Sequence, residues 1–497
     1  MNSAELAYAA WQAEEEKERQ RNVMLARKFY DGDHDVKLTP RLMEFLGIND
    51  DNEFTLNVCR VIVDAVTDRL IVTDVNTSEQ GENQPVAQWA ASVTHAVNLP
   101  MLQMDVHTGA ARDGEYFVFV DWDAEKAQPR FTPHWRYCDL NVDEDADNFG
   151  CKAHYPDDDT TRPLQYVSKR WIEDLGNGRT RNRATLYYPD RIEKYEVIGG
   201  ALREFQDIGD PGWPLPWVRP DGTPRGIPVI HWRNTSDLRP EHWDAIGAQR
   251  AFNKAVLDIV ATGDATAFRI FVAFGWMPTT DGQPLKSDGS NAARLAPGQI
   301  IGTNRSPSEA SFQAVDGSNN ATLLEQGDWL LGKIGLITST PQTRILPTRQ
   351  VSSAESQKEQ NESLFAKCRK RQVLHDAAWR ACFDMARKLA NDFGNAGLDE
   401  AVQFVLAWAA LQARDTADER DEWRVKKELG IPQEVIWQEM GYTNDQIQAM
   451  KQTDEYQAKI NLMQSGMVAH GGEGGNANVR QQMMQDNQQD RQQDSQP

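Results

Sequence analysis

The stretch SAESQKEQNESLFAKCRKRQVLHDAAWRACFDMARKLANDF, residues 353–393, contains neither proline nor glycine. Nothing in it ends an α-helix, because proline removes a backbone donor and glycine adds backbone freedom. At about 1.5 Å per residue it predicts a helix roughly 60 Å long. A helix that is apolar on two faces is usually buried between layers or subunits. The two apolar stripes here are Leu364, Cys368, His375, Ala378, Cys382, Met385 and Leu389 on one side, and Phe365, Trp379, Phe383 and Phe393 on the other.

Two further helices and a loop precede this long helix. Apolar spacings of three, four and seven predict a helix over 237–263, and Thr322-x-x-Glu325 is a capping-box pattern that predicts a second helix to Ile337. Between them, 264–321 is polar, with possible strands at Phe268–Trp276 and Gln299–Gly302. The segment 338–350 contains two prolines and is predicted to be a loop.

The first half of the chain predicts a mixed α and β region. Helical patterns cover Ser3–Tyr30 and Asn57–Leu70, and the second of these is expected to pack on a sheet. Candidate strands lie at Tyr116–Trp122, Ala184–Tyr188 and Ile192–Ile198, so the fold class is α+β. Shorter helices follow the long helix, with Gly430 as a C-cap and Pro432 at a first helical position. After Ser465 the Gln- and Gly-rich composition predicts disorder.

Charge and composition exclude several classes of function. The 497 residues carry a formal net charge of -21 with 40% apolar residues, which is typical of a globular protein and disfavours a DNA-coating role. The five cysteines form no CxxC pair, which argues against a disulfide scaffold or a zinc site and favours a reducing cytoplasm. No run reaches the roughly 20 apolar residues that span a bilayer, so neither membrane insertion nor secretion is expected.

Three motifs suggest chemistry, and each has a simpler interpretation. Gly327–Lys333 nearly matches a phosphate-binding GxxxxGK[ST] loop, but Ile334 replaces the hydroxyl residue and the segment is predicted to be helical. Carboxylates at 143–159 resemble a calcium-binding loop, but the residues at its sixth and twelfth positions do not fit that pattern. A solvated acidic loop is therefore favoured, with an incidental cation site as the alternative. His34, flanked by carboxylates, is expected to hydrogen-bond at a helix end. No catalytic residue, cofactor or metal site is therefore predicted.

Two basic features remain. Arg344 and Arg349 lie in the 338–350 loop, which contains no acidic residue, and Lys367, Arg369, Lys370 and Arg371 form the densest positive run of the chain. One interpretation is a solvated helix face with ion pairs inside the chain. The other is contact with phosphates. The sequence leaves both open.

The order of these elements resembles the portal proteins of tailed double-stranded-DNA bacteriophages from about Tyr30 to Met450. Short phrases carry the resemblance, and their order and spacing are more specific than any one of them: Phe29-Tyr-Asp-Gly-Asp-His34, Asn57-Val-Cys-Arg-Val-Ile-Val-Asp64 with Arg69-Leu70, Ala110-Ala-Arg-Asp-Gly-Glu-Tyr-Phe-Val-Phe-Val120, Gly226-Ile-Pro-Val-Ile-His-Trp-Arg-Asn234, Gly430-Ile-Pro-Gln-Glu434 and Met440-Gly-Tyr-Thr443. The resemblance implies a ring, usually of twelve subunits, through which a motor drives DNA, and no enzymatic activity.

The resemblance also implies a division of the chain. It assigns 1–236 to an N-terminal arm and wing, 237–263 and 322–337 to stem helices, and 264–321 to the clip between them. It assigns 338–352 to a tunnel loop, 353–397 to the long wing helix, 398–465 to a helical crown and 466–497 to a disordered tail. The implied partners are other copies of the chain, double-stranded DNA in transit, the terminase large subunit, head-completion or adaptor proteins, and the major capsid and scaffolding proteins. The implied location is the portal vertex of the virion, and the host cytoplasm during assembly.

A channel that moves DNA must not bind it tightly, and an acidic wall with few basic contacts meets that need. We therefore expect Arg344 and Arg349 to lie near the DNA, with Lys333 as a weaker stem candidate, and the 264–321 clip to contact terminase. Two alternatives stay open. A capsid scaffold or connector adaptor without a channel would also be acidic and helical, and a nucleotide-driven motor would rest on the imperfect Gly327–Lys333 match.

Overall fold

The computed structural model describes residues 3–34, 55–79, 84–137, 150–267, 270–274, 311–315, 320–346, 354–411 and 416–439, with a few single positions between them. The chain divides into two compact units, Met1–Ala413 and Arg414–Pro497. The first unit combines helices with β-sheets, which confirms the α+β fold class.

The N-terminal region forms two helices instead of the single predicted one. Helix α1 covers Ser3–Gln12 and α2 covers Glu14–Asp31. They are separated at Ala13, whose backbone is extended (φ -63°, ψ 145°). The predicted stop is confirmed, because Gly32 adopts φ 95°, a left-handed conformation that glycine reaches without a side-chain clash.

Helix α3, Val58–Thr67, begins where the sequence predicts it. The Asn57 side chain accepts a hydrogen bond from the Arg60 amide and so satisfies a free donor at the helix start. The expected packing on a sheet is wrong. Ile62 packs with helical residues that include Phe29, and Val66 with Leu364, because the apolar stripe of α3 is wide enough to face two sets of helices.

The body of the first unit is built from β-sheets and two helices. In chain order the elements are β1 Val72–Thr77, α4 Pro85–Ala96, α5 Leu99–Asp113, β2 Glu115–Asp123, β3 Gln128–Trp135, β4 Gly150–His154, β5 Tyr166–Asp174, β6 Thr180–Tyr187, β7 Arg191–Ile198, β8 Ala201–Glu204, β9 Leu215–Pro216 and β10 Val229–Arg233. Antiparallel pairing gives a three-stranded sheet in the order β10-β2-β3 and a meander β4-β5-β6-β7-β8, with β9 beside β7. The three predicted strands coincide with β2, β6 and β7.

A pair of long helices follows, separated by a two-stranded excursion. Helix α6 covers Ile246–Ala267 and α7 covers Asn320–Thr338, with paired strands β11 Ile270–Phe274 and β12 Ser311–Val315 between them. Helix α6 begins later than the predicted 237, since the preceding residues form turns and a 3-10 turn at Trp243–Ala245. Helix α7 begins before Thr322, which is therefore not its cap. The strand predicted at Gln299–Gly302 lies outside the described residues.

After a short helix α8, Gln342–Ile345, the long helix α9 covers Ala354–Gly394, close to the predicted 353–393. Its two apolar stripes are buried within the chain except at Phe393, which is 46% exposed. Trp379 packs edge-on against Trp232 of β10, and Phe383 does so against Phe131 of β3. A helix lying on a sheet and beside α3 buries the rest of both stripes, so this packing needs no second subunit.

The segment after α9 differs from its prediction. Residues 398–465 were expected to be helical, but β13, Phe404–Trp408, pairs antiparallel with β1. Phe404 and Leu406 are buried in the main core, so this strand belongs to the first unit.

The second unit contains α10, Thr416–Glu428, and α11, Gln433–Glu439. The predicted C-cap is confirmed by Gly430 at φ 80°. The segment 466–497 lies outside the described residues.

Candidate functional site

The segment that follows α7 folds back onto the end of this helix. The Thr338 hydroxyl donates to the Ile334 carbonyl at 2.7 Å, and the Thr340 amide donates to the Gly335 carbonyl at 2.9 Å. A Cβ atom at Gly335 would lie 2.9 Å from the Thr340 carbonyl oxygen, so this close approach requires glycine. The first half of the predicted tunnel loop is therefore an ordered turn leading into α8.

Two residues of the basic run hold this turn in place. Lys367 of α9 forms an ion pair with Glu241 and donates to the Thr338 carbonyl at 2.6 Å. Arg371, one helical turn later, places Nε 3.0 Å from the second oxygen of Glu241. Asn234 donates to the same oxygen at 3.0 Å. We call Glu241, Lys367 and Arg371 the junction clamp, because it joins α9, the end of α7 and the segment before α6.

The electrostatics of the junction clamp are those of a buried ion triad. The Glu241 carboxylate is almost completely shielded from solvent, and its burial by itself favours the neutral acid. The positive charges of Lys367 and Arg371 outweigh that burial and lower the pKa of Glu241 to about 2. The Glu241 carboxylate is therefore ionised at neutral pH.

Arg344 lies on α8 and points toward the end of α3. Its Nη1 atom is 3.4 Å from Asp68, and both side chains are more than one third exposed. Arg69 lies beside this pair, and its pKa is lowered by burial and by the positive charge of Arg344. Asp68 thus lies close to two guanidinium groups.

The remaining predicted residues are distributed over separate surfaces. Lys333 is exposed on α7, with Nζ 5.6 Å from the centre of the Trp329 ring. Arg369 pairs with Glu362 at 3.1 Å in solvent, and Lys370 is exposed. Arg349 lies outside the described residues. The structure therefore separates the basic run, because Lys367 and Arg371 face inward whereas Arg369 and Lys370 face outward.

Sequence reasoning missed the acidic partners. Glu241 occurs in an ordinary Pro-Glu-His-Trp segment, and nothing local distinguishes it from a surface carboxylate. Similarly, Glu16 of α2 pairs with Arg136 and accepts hydrogen bonds from Tyr137 and Lys152, which anchors the N-terminal helices to the sheet region. Burial opposes the ionisation of Glu16, yet the Arg136 and Lys152 charges lower its pKa.

The other sequence motifs that fall within the described residues have structural roles. Gly327–Lys333 lies inside α7, which is not the strand-to-helix loop that phosphate binding requires. The His34 expectation is confirmed, because Nε2 donates to the Phe29 carbonyl at 2.9 Å near the end of α2 and Nδ1 accepts from Asn253. Of the acidic stretch, 143–149 lies outside the described residues, whereas Asp157 and Asp159 both pair with Arg162.

The described ranges contain neither a metal-binding group nor a membrane-spanning helix. These ranges contain no cluster of three or more His, Cys, Asp or Glu side chains that could hold an ion. Among the helices of the same ranges, none combines the length and the apolar character that a membrane span requires.

These observations define a structural class of protein, in which an α+β body carries a helix pair and charged residues fasten that pair to one long helix. Comparison with known families then gives the particular family. Residues 11–461 match the family described as phage portal protein, SPP1 Gp6-like, and the chain belongs to it. No curated protein matches the chain. Membership implies a structural, non-enzymatic part of an oligomeric phage capsid assembly, located at a vertex of the virion.

Proposed function

We propose that the chain forms a ring of about twelve copies and that double-stranded DNA passes through this ring during packaging and ejection. The single observation that carries the proposal is the family match over residues 11–461, which includes the helix pair and the junction clamp. In this proposal α6 and α7 are the stem, and the segment from Thr338 is the tunnel loop. The loop is held to α9 by the junction clamp, so that its position is fixed relative to the body.

Within the loop, Arg344 is proposed to contact DNA. A half-exposed ion pair such as Arg344–Asp68 contributes at most about 1 kcal/mol, so the guanidinium can leave Asp68 for a phosphate at little cost. Arg69 beside it adds positive charge to the same surface. Arg349 and Lys333 are proposed as further contacts, and Lys370 and Arg369 as outward-facing cations of a second patch.

The docking partners are proposed by family analogy. The 264–321 segment between the two stem helices is proposed to contact the terminase large subunit during packaging and head-completion or adaptor proteins afterwards. Support for this comes from its position in the chain, where the paired strands β11 and β12 lie between the end of α6 and the start of α7. The body is proposed to contact the major capsid and scaffolding proteins.

The ring is tested by electron microscopy of the purified protein. A ring with a central hole of about 20 Å or more, the width of B-form DNA, is the expected result. A particle without a hole would favour a scaffold or adaptor and would contradict the proposal.

The loop contact is tested with the double variant Arg344→Gln/Arg349→Gln in a packaging reaction with DNA crosslinking. We expect rings to form normally while crosslinking falls. Arg130→Gln is the matched control, because Arg130 is also exposed and paired with one aspartate but lies on β3. Unchanged crosslinking in the double variant would refute the DNA contact while leaving the ring intact.

A further inference from the structure

Helix α7 presents large apolar side chains to solvent. Leu336 is 71% exposed and Trp329 is 60% exposed. They are seven residues apart, so they lie on one line two helical turns apart. Lys333 lies between them on this line, with Nζ 5.6 Å from the centre of the Trp329 ring, so an interface built on Trp329 and Leu336 would leave only the end of the Lys333 side chain for a DNA contact. Exposed apolar patches on a folded chain mark interaction sites.

Helix α6 presents a complementary stripe of mostly small residues. These residues are exposed or half-exposed and recur at spacings of four and three: Gly247, Ala251, Lys254, Asp258 and Ala261. A Cβ atom at Gly247 would meet nothing within 4 Å, so the stripe is open at that end. Lys254 and Asp258 neutralise each other through an ion pair at 2.7 Å, which leaves the stripe without net charge.

The two helices use other faces to pack on each other. A Cβ atom at Gly327 would lie 4.0 Å from both Phe252 and Ile259, and Ile334 shares a buried cluster with Ile246 and Phe252. Position 327 therefore lies level with about residue 256 of α6, and position 334 lies nearer its start. The helices run antiparallel, and both exposed stripes are left for another molecule.

We propose that Trp329 and Leu336 of one copy pack against the small-residue stripe of α6 in the neighbouring copy. The inference rests on the ring in the proposed function, and it specifies the surface on which the stem is closed. In a cyclic ring each chain uses two different surfaces, one toward each neighbour. A large stripe and a small stripe on the same helix pair meet this requirement.

The heights of these residues along the helix pair support the pairing of the two stripes. Rotation about an axis that runs along the helices leaves each residue at its own height. Leu336 is nine residues beyond Gly327, which in an antiparallel pair corresponds to nine residues before 256 and thus to Gly247. By the same reasoning Trp329, two residues beyond Gly327, is level with Lys254. Each large side chain therefore faces the part of the neighbouring stripe where a small residue or a long, flexible one leaves room.

The arrangement is tested by crosslinking the double variant Gly247→Cys/Leu336→Cys under oxidising conditions. We expect a ladder of covalent multimers on a denaturing gel, because each disulfide would join two neighbouring chains. All variants are made in a Cys138→Ser background, because Cys138 lies outside the described residues, whereas the native thiols at 59, 151, 368 and 382 are buried. Either single-cysteine variant is the matched control and should remain monomeric on the gel. A disulfide that forms only within one chain would overturn the inference.

A second test does not require disulfide geometry. Trp329→Glu and Leu336→Glu should each reduce the ring population at least about tenfold at fixed concentration, because a charge replaces an anchor residue. Circular dichroism and the melting temperature of the dissociated chain should stay unchanged. Val373→Glu is the control, because Val373 is equally exposed but lies on α9, and it should leave rings intact.

The outcomes separate the two proposals. Rings with a central hole in the wild type, but no ladder and no effect of the Trp329 and Leu336 variants, would refute this interface and leave the channel proposal standing. A wild type that forms no ring would refute both.

Discussion

The junction clamp makes a quantitative prediction. Replacing Glu241 with Gln keeps the shape of the side chain but removes its charge, so Lys367 and Arg371 are left facing each other without a counter-ion. We expect this single change to lower the free energy of unfolding of the chain at pH 7 by about 3 kcal/mol. That is a large fraction of the stability of a typical domain.

The magnitude follows from the pKa of Glu241. Its value of about 2 lies roughly 2.5 units below the 4.5 of the free side chain, and each unit corresponds to about 1.4 kcal/mol. Removing one partner of a buried ion pair in other proteins costs about 3–5 kcal/mol, which agrees with the value expected here. Because the pKa is lowered by folding, the contribution is complete above pH 4.5 and is lost as the pH falls from 4.5 to 2.

The assay is urea unfolding of the dissociated chain, followed by tryptophan fluorescence and circular dichroism. Adding Arg371→Met to Glu241→Gln should restore about 1 kcal/mol, because one of two repelling cations is removed while the Lys367 hydrogen bond to the Thr338 carbonyl is kept. Glu362→Gln breaks the solvent-exposed pair with Arg369 and should cost less than about 0.5 kcal/mol. A Glu241→Gln variant as stable as the wild type, or as mildly affected as Glu362→Gln, would refute the reasoning.

Two further predictions concern buried histidines and helix glycines. Burial lowers the pKa of His107 to about 4 and that of His375 well below 6.5, so stability should fall as the pH drops below 6.5, by about 1.4 kcal/mol per unit for each histidine. Urea midpoints at pH 7, 6 and 5 should show a smaller slope in His375→Leu, and identical slopes would contradict this. Gly335→Ala should cost about 1–3 kcal/mol through its contact with the Thr340 carbonyl, whereas Gly247→Ala, with open space, should be neutral or stabilising. Thermal melts that shift equally in both glycine variants would contradict the packing at the loop.

The elements that the sequence predicts well are those whose signals are local. Helix α9 has no internal helix breaker and carries continuous apolar stripes, so its bounds follow from its own residues. Strand β13 has no such signal. Its partner β1 lies more than 300 residues earlier, and a five-residue apolar segment does not specify a partner at that distance. The break at Ala13 was missed for the opposite reason, because every neighbouring residue favours a helix.

Only part of the candidate site could be predicted, because only part of it has a local signal in the sequence. A spacing of four places Lys367 and Arg371 on one face of α9, which the sequence shows. The carboxylate that this face meets is 130 residues away from Arg371, and only the folded chain brings Glu241 to it. The choice between ion pairing and phosphate contact could not be made from the basic run alone. The structure assigns ion pairing to the two inward residues, and the DNA contact of the outward ones stays a prediction.

The ion pairs inside the chain affect how an acidic protein could let DNA pass without binding it tightly. Arg136, Lys367 and Arg371 form ion pairs with buried carboxylates, so these cations are not available to offset the acidic charge on the surface. Twelve copies with a net charge of -21 would carry about -250 in total, a field that repels a duplex from the wall. A channel of this kind holds DNA away everywhere except where a lightly paired cation such as Arg344 can reach a phosphate. Neutralising Arg344 would then weaken a local contact, whereas adding arginines to the exposed stem would slow passage by binding DNA at many sites.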